Sequence, residues 1–187
     1  MGQDFDVSAR EDRSWILKAR QGKLAAFDRL VLKYQKLLYF LVLKMLGNPA
    51  DAEDVVQEAF IRAYQSLDGF DPGRPFQPWL YRIAINLALT TIHRRKQHAK
   101  VTLEDAEMMG DPVASDPEDS DTEELGHLAL KASLALTEDQ RAVLLLRVQE
   151  GLSYDQISEA LDIPVGTVMS RLNRARSRLR ELLKDFL

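Results

Sequence analysis

An all-α fold in two parts is predicted: an N-terminal helical bundle and a C-terminal helix-turn-helix unit, joined by an acidic flexible linker. Three observations predict it. Apolar residues recur at helical spacing from Trp15 to Leu41, and again in the last helix from Val168 to Phe186. Twelve of the 14 aromatic residues lie at or before Tyr81, and only Tyr154 and Phe186 follow. Between the two parts, residues 101–127 hold 10 acidic and no basic side chains, a composition that cannot build a core. The expected boundaries are 1–98 for the bundle, 99–126 for the linker and 127–187 for the second unit.

Arg13 to Leu46 reads as a helical hairpin broken at Gly22, with Trp15, Ile16 and Ala19, then Leu24, Phe27, Val31, Tyr34, Leu38 and Leu41, on its inner side. A core hairpin accounts for this stretch. Gly47 then supplies a C-terminal stop, Asn48 an N-cap and Pro49 a first helical position, so a new helix starts at once. On it, Val56, Ala59, Phe60, Ala63 and Leu67 form the expected buried stripe. Asp54, Gln57, Glu58, Ile61 and Gln65 form the opposite side. Asp51, Glu53 and Asp54 suit the positive end of the helix dipole, which explains the acids without a partner. It does not explain Ile61. An apolar residue ringed by acids and amides is how a docking surface for a basic partner would look. Lone exposed apolar residues are also common, so both readings stand.

Asp68 to Pro78 reads as a loop and Trp79 to about Gln97 as a helix, with Pro78 in its first turn. At 100° per residue, Trp79, Arg82, Asn86, Thr90 and His93 share one stripe on an otherwise apolar helix. A neighbouring helix could satisfy a buried Asn86 by hydrogen bonding. Against that stands its company, for the stripe begins at Trp79 and ends near Arg94, Arg95 and Lys96. An aromatic ring, an amide and cations are what single-stranded nucleic acid asks for: stacking, base-edge hydrogen bonds and phosphate neutralisation.

In the second unit, Thr137 and Ser153 each precede a glutamine by three residues, the pattern of two capping boxes. The first helix closes at Gly151 and the second is short, ending at Leu161. Asp162 stands where the turn calls for a left-handed residue, a conformation aspartate tolerates better than most. The last helix runs from about Gly166 to Asp185, with Val168, Leu172, Ala175, Leu179, Leu182, Leu183 and Phe186 facing inward. Its charges from Arg171 to Arg180 are all basic, and Ser170, Asn173, Arg174 and Ser177 point furthest from the core. A solvated helix normally mixes its charges, so this pattern favours DNA.

The net charge of −4 hides a segregation that matters for partners. Residues 1–100 hold 16 Lys/Arg against 11 Asp/Glu, and residues 128–187 hold 9 against 8, so both folded parts are neutral to basic. Cysteine is absent, which excludes disulfides, thiolate zinc sites and a cysteine nucleophile and fits a reducing compartment. The longest apolar run, Leu37 to Leu43, is far short of the ~20 residues a membrane span needs, so no membrane insertion and a cytoplasmic protein are expected. No cofactor or metal is called for, and no catalytic residue.

The stretches DAEDVVQEAFIRAY, PWLYRIAIN, GLSYDQISEAL and IPVGTVMSRLNRAR, in that order, resemble the sigma factors of bacterial RNA polymerase. The likeness is to the two-domain extracytoplasmic-function (ECF) group, and it covers the chain from about Arg13 to Lys184. It implies a promoter-specificity subunit that binds core polymerase at its clamp and flap, directs it to promoters and promotes melting. It also implies control by an anti-sigma factor, in a stress or envelope response. Asp51, Asp54, Gln57, Glu58 and Ile61 match the docking helix. Phe70, Phe76, Trp79, Arg82, Asn86, Arg94 and Arg95 match the part that opens and holds the −10 element as a single strand. Thr167, Ser170, Arg171, Asn173, Arg174 and Arg178 match the helix that reads the −35 duplex. Met169 departs from the family, which commonly carries Lys or Arg there, so one −35 contact is expected to be missing.

As free coil, a linker of about 25 residues averages roughly 25–30 Å. Two promoter elements a couple of turns apart are separated by about 70 Å. The linker spans that only when stretched, at up to about 3.4 Å per residue, so polymerase must hold the two units apart. The acids of the linker either mimic RNA phosphates or serve as plain spacing. Two other classes compete with this reading. A dimeric helix-turn-helix regulator would bind duplex tightly without polymerase. A metal-dependent helical hydrolase would need Asp51, Glu53, Asp54 and Glu58 together, yet they are spread around the helix with no histidine motif beside them.

Overall fold

The computed structural model describes residues 2–103, 132–182 and 184. The expectations for residues 104–131, including most of the linker and the opening near His127, lie outside these residues, as do those for Leu183 and Phe186. The order is α1 (Gly2–Arg20), α2 (Leu24–Leu46), α3 (Pro49–Gln65), a 3-10 turn (Leu67–Gly69), α4 (Phe76–Leu103), α5 (Glu138–Val148), α6 (Tyr154–Leu161) and α7 (Val165–Leu182). Among the described residues the fold is all-α, as expected.

Three boundaries differ from the sequence reading. The first helix begins at Gly2 rather than Arg13, because nothing in the polar N-terminal stretch breaks a helix. Helix α4 starts at Phe76, which puts Pro78 on its first turn, where no backbone N–H is missed. The same helix runs to Leu103, into the stretch expected as linker.

The turn between α2 and α3 forms as its residues dictate. Gly47 adopts φ 70° and its N–H bonds the Leu43 carbonyl. Asn48 caps α3, its side chain accepting the Asp51 N–H at 3.1 Å, and Pro49 follows. A Cβ at Gly47 would also lie 2.9 Å from Leu134 Cδ1 of the second unit, an exposed side-chain end that would have to shift.

Helix α2 is the spine of the bundle and packs on α1, α3 and α4. Leu30, Leu38, Leu41 and Met45 are fully buried on it. They meet Ala52, Ala59 and Ala63 of α3 and Leu80, Ala84, Ile85 and Ala88 of α4. The small residues let these backbones approach closely, and a single Leu→Ala change in such a core costs about 2–5 kcal/mol. One buried acid sits among them. Asp12 of α1 accepts from the Tyr34 hydroxyl at 2.5 Å and from Lys33 Nζ, so its charge is paired rather than stranded.

In the second unit, Thr137 caps α5 by accepting the Gln140 N–H, while Ser153 and Gln156 close both halves of a capping box at α6. Asp162 takes the left-handed conformation at φ 55°, as its place in the turn demands. Ser158 Oγ ties the turn by donating to the Ile163 carbonyl at 2.5 Å. Val143, Leu146, Ile157, Ala160, Val168, Leu172 and Ala175 form the core of the unit. Leu179, expected further along the same stripe, is only half-buried.

The two units are not independent. Their buried residues join in one contiguous cluster, with α6 on α4 and α5 on α2. Arg141, 6% exposed, donates Nε to the Ser133 carbonyl at 2.8 Å and Nη2 to those of Leu134 and Leu136 at 2.8 and 3.1 Å. Its Nη1 reaches the Met45 carbonyl in the last turn of α2. A guanidinium thus satisfies orphan carbonyls from both units at once. Burial pushes its pKa down from the usual arginine value.

Candidate polymerase and nucleic-acid interfaces

Helices α2 and α3 splay to leave an open apolar groove of about 850 Å³. Phe27, Val31, Tyr39 and Phe40 come from α2, and Val56, Phe60, Ile61 and Tyr64 from α3. The Phe27 ring packs edge-on against Tyr64 at 5.0 Å and Phe60 at 6.5 Å, which fixes the floor. Ile61 is 44% exposed on the rim, beside Gln57. Of the five docking candidates, these two line the groove. Asp54 is exposed outside it. Glu58 is paired with Arg62 at 2.7 Å one turn on, and Asp51 is paired with Arg95 of α4. The sequence reading missed the α2 wall, since a core hairpin explained that helix. A signal was present, however: Leu24, Leu32, Leu37 and Phe40 are exposed, so α2 carries more apolar residues than one buried face can use.

Helix α4 presents the second face. Asn86 is exposed, as are Arg82, Thr90 and His93. Its amide is therefore not a satisfied core group, and its backbone carbonyl accepts from Thr90 Oγ1 at 2.7 Å. Trp79 is half-buried, its ring tilted against those of Phe70 at 4.7 Å and Phe76 at 5.4 Å. The two phenylalanines require a correction. They were expected among the strand-contacting residues, but they are 5% and 2% exposed and belong to the core. Their side chains are the base on which the indole rests, which burial of two full rings favours over solvent contact. Arg94 is exposed; Arg95 is turned to the first turn of α3 by its bond to Asp51.

The loop before α4 is held from α1, a tie between distant residues that helical periodicity does not reveal. Arg20 donates to the Leu67 carbonyl through Nε at 2.9 Å and Nη2 at 2.7 Å, and also to the Phe70 carbonyl.

Helix α7 offers the third face. Asn173, Arg174 and Arg178 are exposed, with Met169 at 53% beside them. Thr167 and Ser170 are half-buried, so Ser170 does not point furthest outward as expected; its hydroxyl donates back to the Thr167 carbonyl at 3.0 Å. Arg171 is drawn inward to Asp139 of α5 at 2.6 Å, and Arg178 reaches Glu181 at 3.2 Å. The free cationic surface of this helix is thus narrower than its sequence.

Among the described residues, no three His, Asp or Glu side chains are grouped to hold a metal. Nor is any helix long and apolar enough to cross a membrane.

The sigma-70 region 2 family profile matches residues 30–98, and that of sigma-70 region 4 matches residues 127–179. The chain is 39% identical over 189 residues to the RNA polymerase sigma-H factor of Pseudomonas aeruginosa, covering 97% of this chain and 98% of that one. It is likewise 39% identical over 178 residues to the ECF RNA polymerase sigma factor SigW of Bacillus subtilis, covering 91% and 95%. Its structure is similar, with TM-score 0.72 and 28% identity, to the sigma factor RpoE of Bartonella quintana in complex with the anti-sigma factor NepR, across 84% of this chain and 96% of that one. With both conserved regions matched in order and relatives aligned nearly end to end, this chain belongs to the ECF group of RNA polymerase sigma factors.

Proposed function

We propose that this chain binds core RNA polymerase, directs it to specific promoters and promotes melting for initiation, acting in the cytoplasm without catalytic chemistry of its own. The α2–α3 groove, with Ile61 and Gln57 on its rim, receives the polymerase clamp. Asp54 and the acids around it complement a basic partner. The exposed stripe of α4 takes the opened −10 strand: Trp79 stacks, Asn86 bonds a base edge, and Arg82 and Arg94 neutralise phosphate. Aromatic stacking at about 1–3 kcal/mol per base offsets part of the unstacking cost of a few kcal/mol per step. Asn173, Arg174 and Arg178 of α7 enter the −35 major groove, where arginine reads guanine and asparagine reads adenine.

The single observation that carries this reading is the exposure of Asn86 on the polar stripe of α4, two turns along from a tryptophan packed against Phe70 and Phe76. The controlling partner is an anti-sigma factor in this reading, in keeping with the NepR complex of the Bartonella relative. Run-off transcription with purified core polymerase and a genomic promoter library tests the role. Discrete start sites that depend on this protein are expected, and failure to direct any specific start site sinks it.

A further inference from the structure

We propose that Met169 is a specificity-determining residue that reads the C5-methyl group of a thymine in the −35 duplex. The proposal rests on the assignment of α7 to that duplex and deepens it.

Met169, at 53%, is the one large apolar side chain of α7 that is exposed among the described residues. The buried stripe of the helix runs through Val168, Leu172 and Ala175, so Met169 adds nothing to the core. Its neighbours at helical spacing are Gly166 one turn before and Asn173 one turn after, both exposed. Nothing inside the chain calls for glycine at 166. Its φ is not left-handed, and an added Cβ would meet nothing within 4 Å. Glycine also lowers helix propensity, so folding gives no reason for it. What it leaves is a bare backbone edge beside Met169 that a partner can approach closely.

Charge is scarce at this end of the helix. Arg171 is drawn to Asp139 at 2.6 Å, and Ser170 Oγ donates to the Thr167 carbonyl at 3.0 Å. The first exposed arginine is Arg174. From Val165 to Asn173 the exposed face is therefore Gly166, Met169 and Asn173. The N-terminal residues of a recognition helix are those that meet base edges. The major groove offers them hydrogen-bonding groups, which a thioether matches poorly, and one apolar group, the thymine methyl. Methionine is unbranched and polarisable, so it adapts its shape to such a contact. Helix rise fixes the position. Met169 precedes Asn173 by about 6 Å at roughly 1.5 Å per residue. At about 3.4 Å per base, its thymine lies within about two base pairs of the one that Asn173 reads.

The test uses holoenzyme assembled from the full chain and core polymerase, on promoters recovered by run-off transcription. Those promoters are expected to share a thymine at one −35 position, on either strand. The probe is a promoter duplex in which deoxyuridine replaces the −35 thymines one at a time, which removes the methyl and keeps every base-pair hydrogen bond. One such replacement is expected to weaken native binding about three- to fivefold, the worth of one buried methyl. Met169→Ala, at an exposed helical position, should fold as before and bind the two duplexes equally. Met169→Leu should keep the sensitivity. Met169→Lys should lose it and bind with a salt slope steeper by about one. The proposal is overturned by promoters that share no thymine, by deoxyuridine that changes nothing, or by a methyl effect that persists in Met169→Ala. Arg174→Ala separates this failure from that of the underlying reading. If it weakens binding while no deoxyuridine does, Met169 alone has been misassigned. If Arg174→Ala and replacement of the whole −35 sequence both leave binding intact, the assignment of α7 falls and the proposal falls with it.

Discussion

Arg20, the last residue of α1, grips the Leu67 carbonyl with two nitrogens at 2.9 and 2.7 Å. The same guanidinium holds the Phe70 carbonyl, and the Phe70 ring lies under Trp79. A helix outside the matched family regions thus shapes the loop that supports the proposed stacking residue. Arg20→Ala removes this donor from the Phe70 carbonyl and leaves the Leu67 carbonyl with the Phe70 N–H at 3.1 Å alone, at a cost of about 1–3 kcal/mol. In a chain of this size that lowers Tm by about 2–12 °C, readable by thermal melting. Single-strand binding should weaken more than core-polymerase binding, and Arg20→Lys should rescue only partly, since it lacks the planar fork. Equal loss of both activities would reduce Arg20 to a stabilising residue.

Ile61 is the sharpest test of the groove. Because it is exposed, Ile61→Glu should change folding stability by no more than about 0.5 kcal/mol. In the groove, a buried charge should lower core-polymerase affinity by about 1–3 kcal/mol, or roughly five- to 150-fold, in a competition assay against another sigma factor. Unaltered affinity would move the docking site elsewhere.

How much was legible beforehand follows from the range of each signal. Local signals served well: the Gly47–Asn48–Pro49 corner, the left-handed Asp162 and the Ser153–Gln156 box depend on residues within one turn of each other. Ile61 and Asn86 were legible as departures from a periodic pattern. Phe70 and Phe76 were misread because aromatic residues in a loop look the same whether they face a base or a core. The pairing of Arg95 with Asp51, of Arg171 with Asp139, and of Arg20 with the Leu67 carbonyl links separate helices, which periodicity along one helix does not encode. The resemblance supplied a family and its faces, but not the way the halves close on each other.

Gly47 answers two constraints that can be separated. Gly47→Ala meets both the strain of a left-handed residue, about 1–2 kcal/mol, and the Leu134 side chain 2.9 Å from the new Cβ. Thermal melting should show a loss of about 2–8 °C. Adding Leu134→Ala should recover the steric part and leave the strain. Full recovery would mean that backbone conformation at Gly47 costs nothing.

Tyr34 and Tyr81 set an alkaline limit. Burial first, and then the bonds to Asp12 and Glu150, hold both phenols well above the usual tyrosine range. In the unfolded chain they ionise near pH 10. The folded state therefore binds more protons than the unfolded one above that pH, so this part of the stability is complete below about pH 10 and is lost as pH rises further. Of the 5 tyrosines, these two should ionise only with unfolding when phenolate absorbance is followed. Their titration in the folded chain would refute the assignment. Tyr34→Phe should soften the alkaline loss while lowering stability near neutral pH, because Asp12 loses one of its donors.

Asn86 decides whether α4 works on DNA or only holds the bundle together. Its side chain is exposed, and its backbone carbonyl, not its amide, receives the Thr90 hydroxyl. Asn86→Ala should therefore leave Tm nearly unchanged, and alanine is itself a better helix former. Core-polymerase binding should survive, since the groove lies on α2 and α3. Open-complex formation, followed by permanganate reactivity of unpaired thymines, should be abolished, because a base-edge bond made only after melting has no substitute. Trp79→Ala should weaken single-strand binding by about 1–3 kcal/mol for the lost stack. A parallel fall in core binding for Asn86→Ala would show instead that the polar stripe supports the bundle, and the −10 strand would have to be sought on another face.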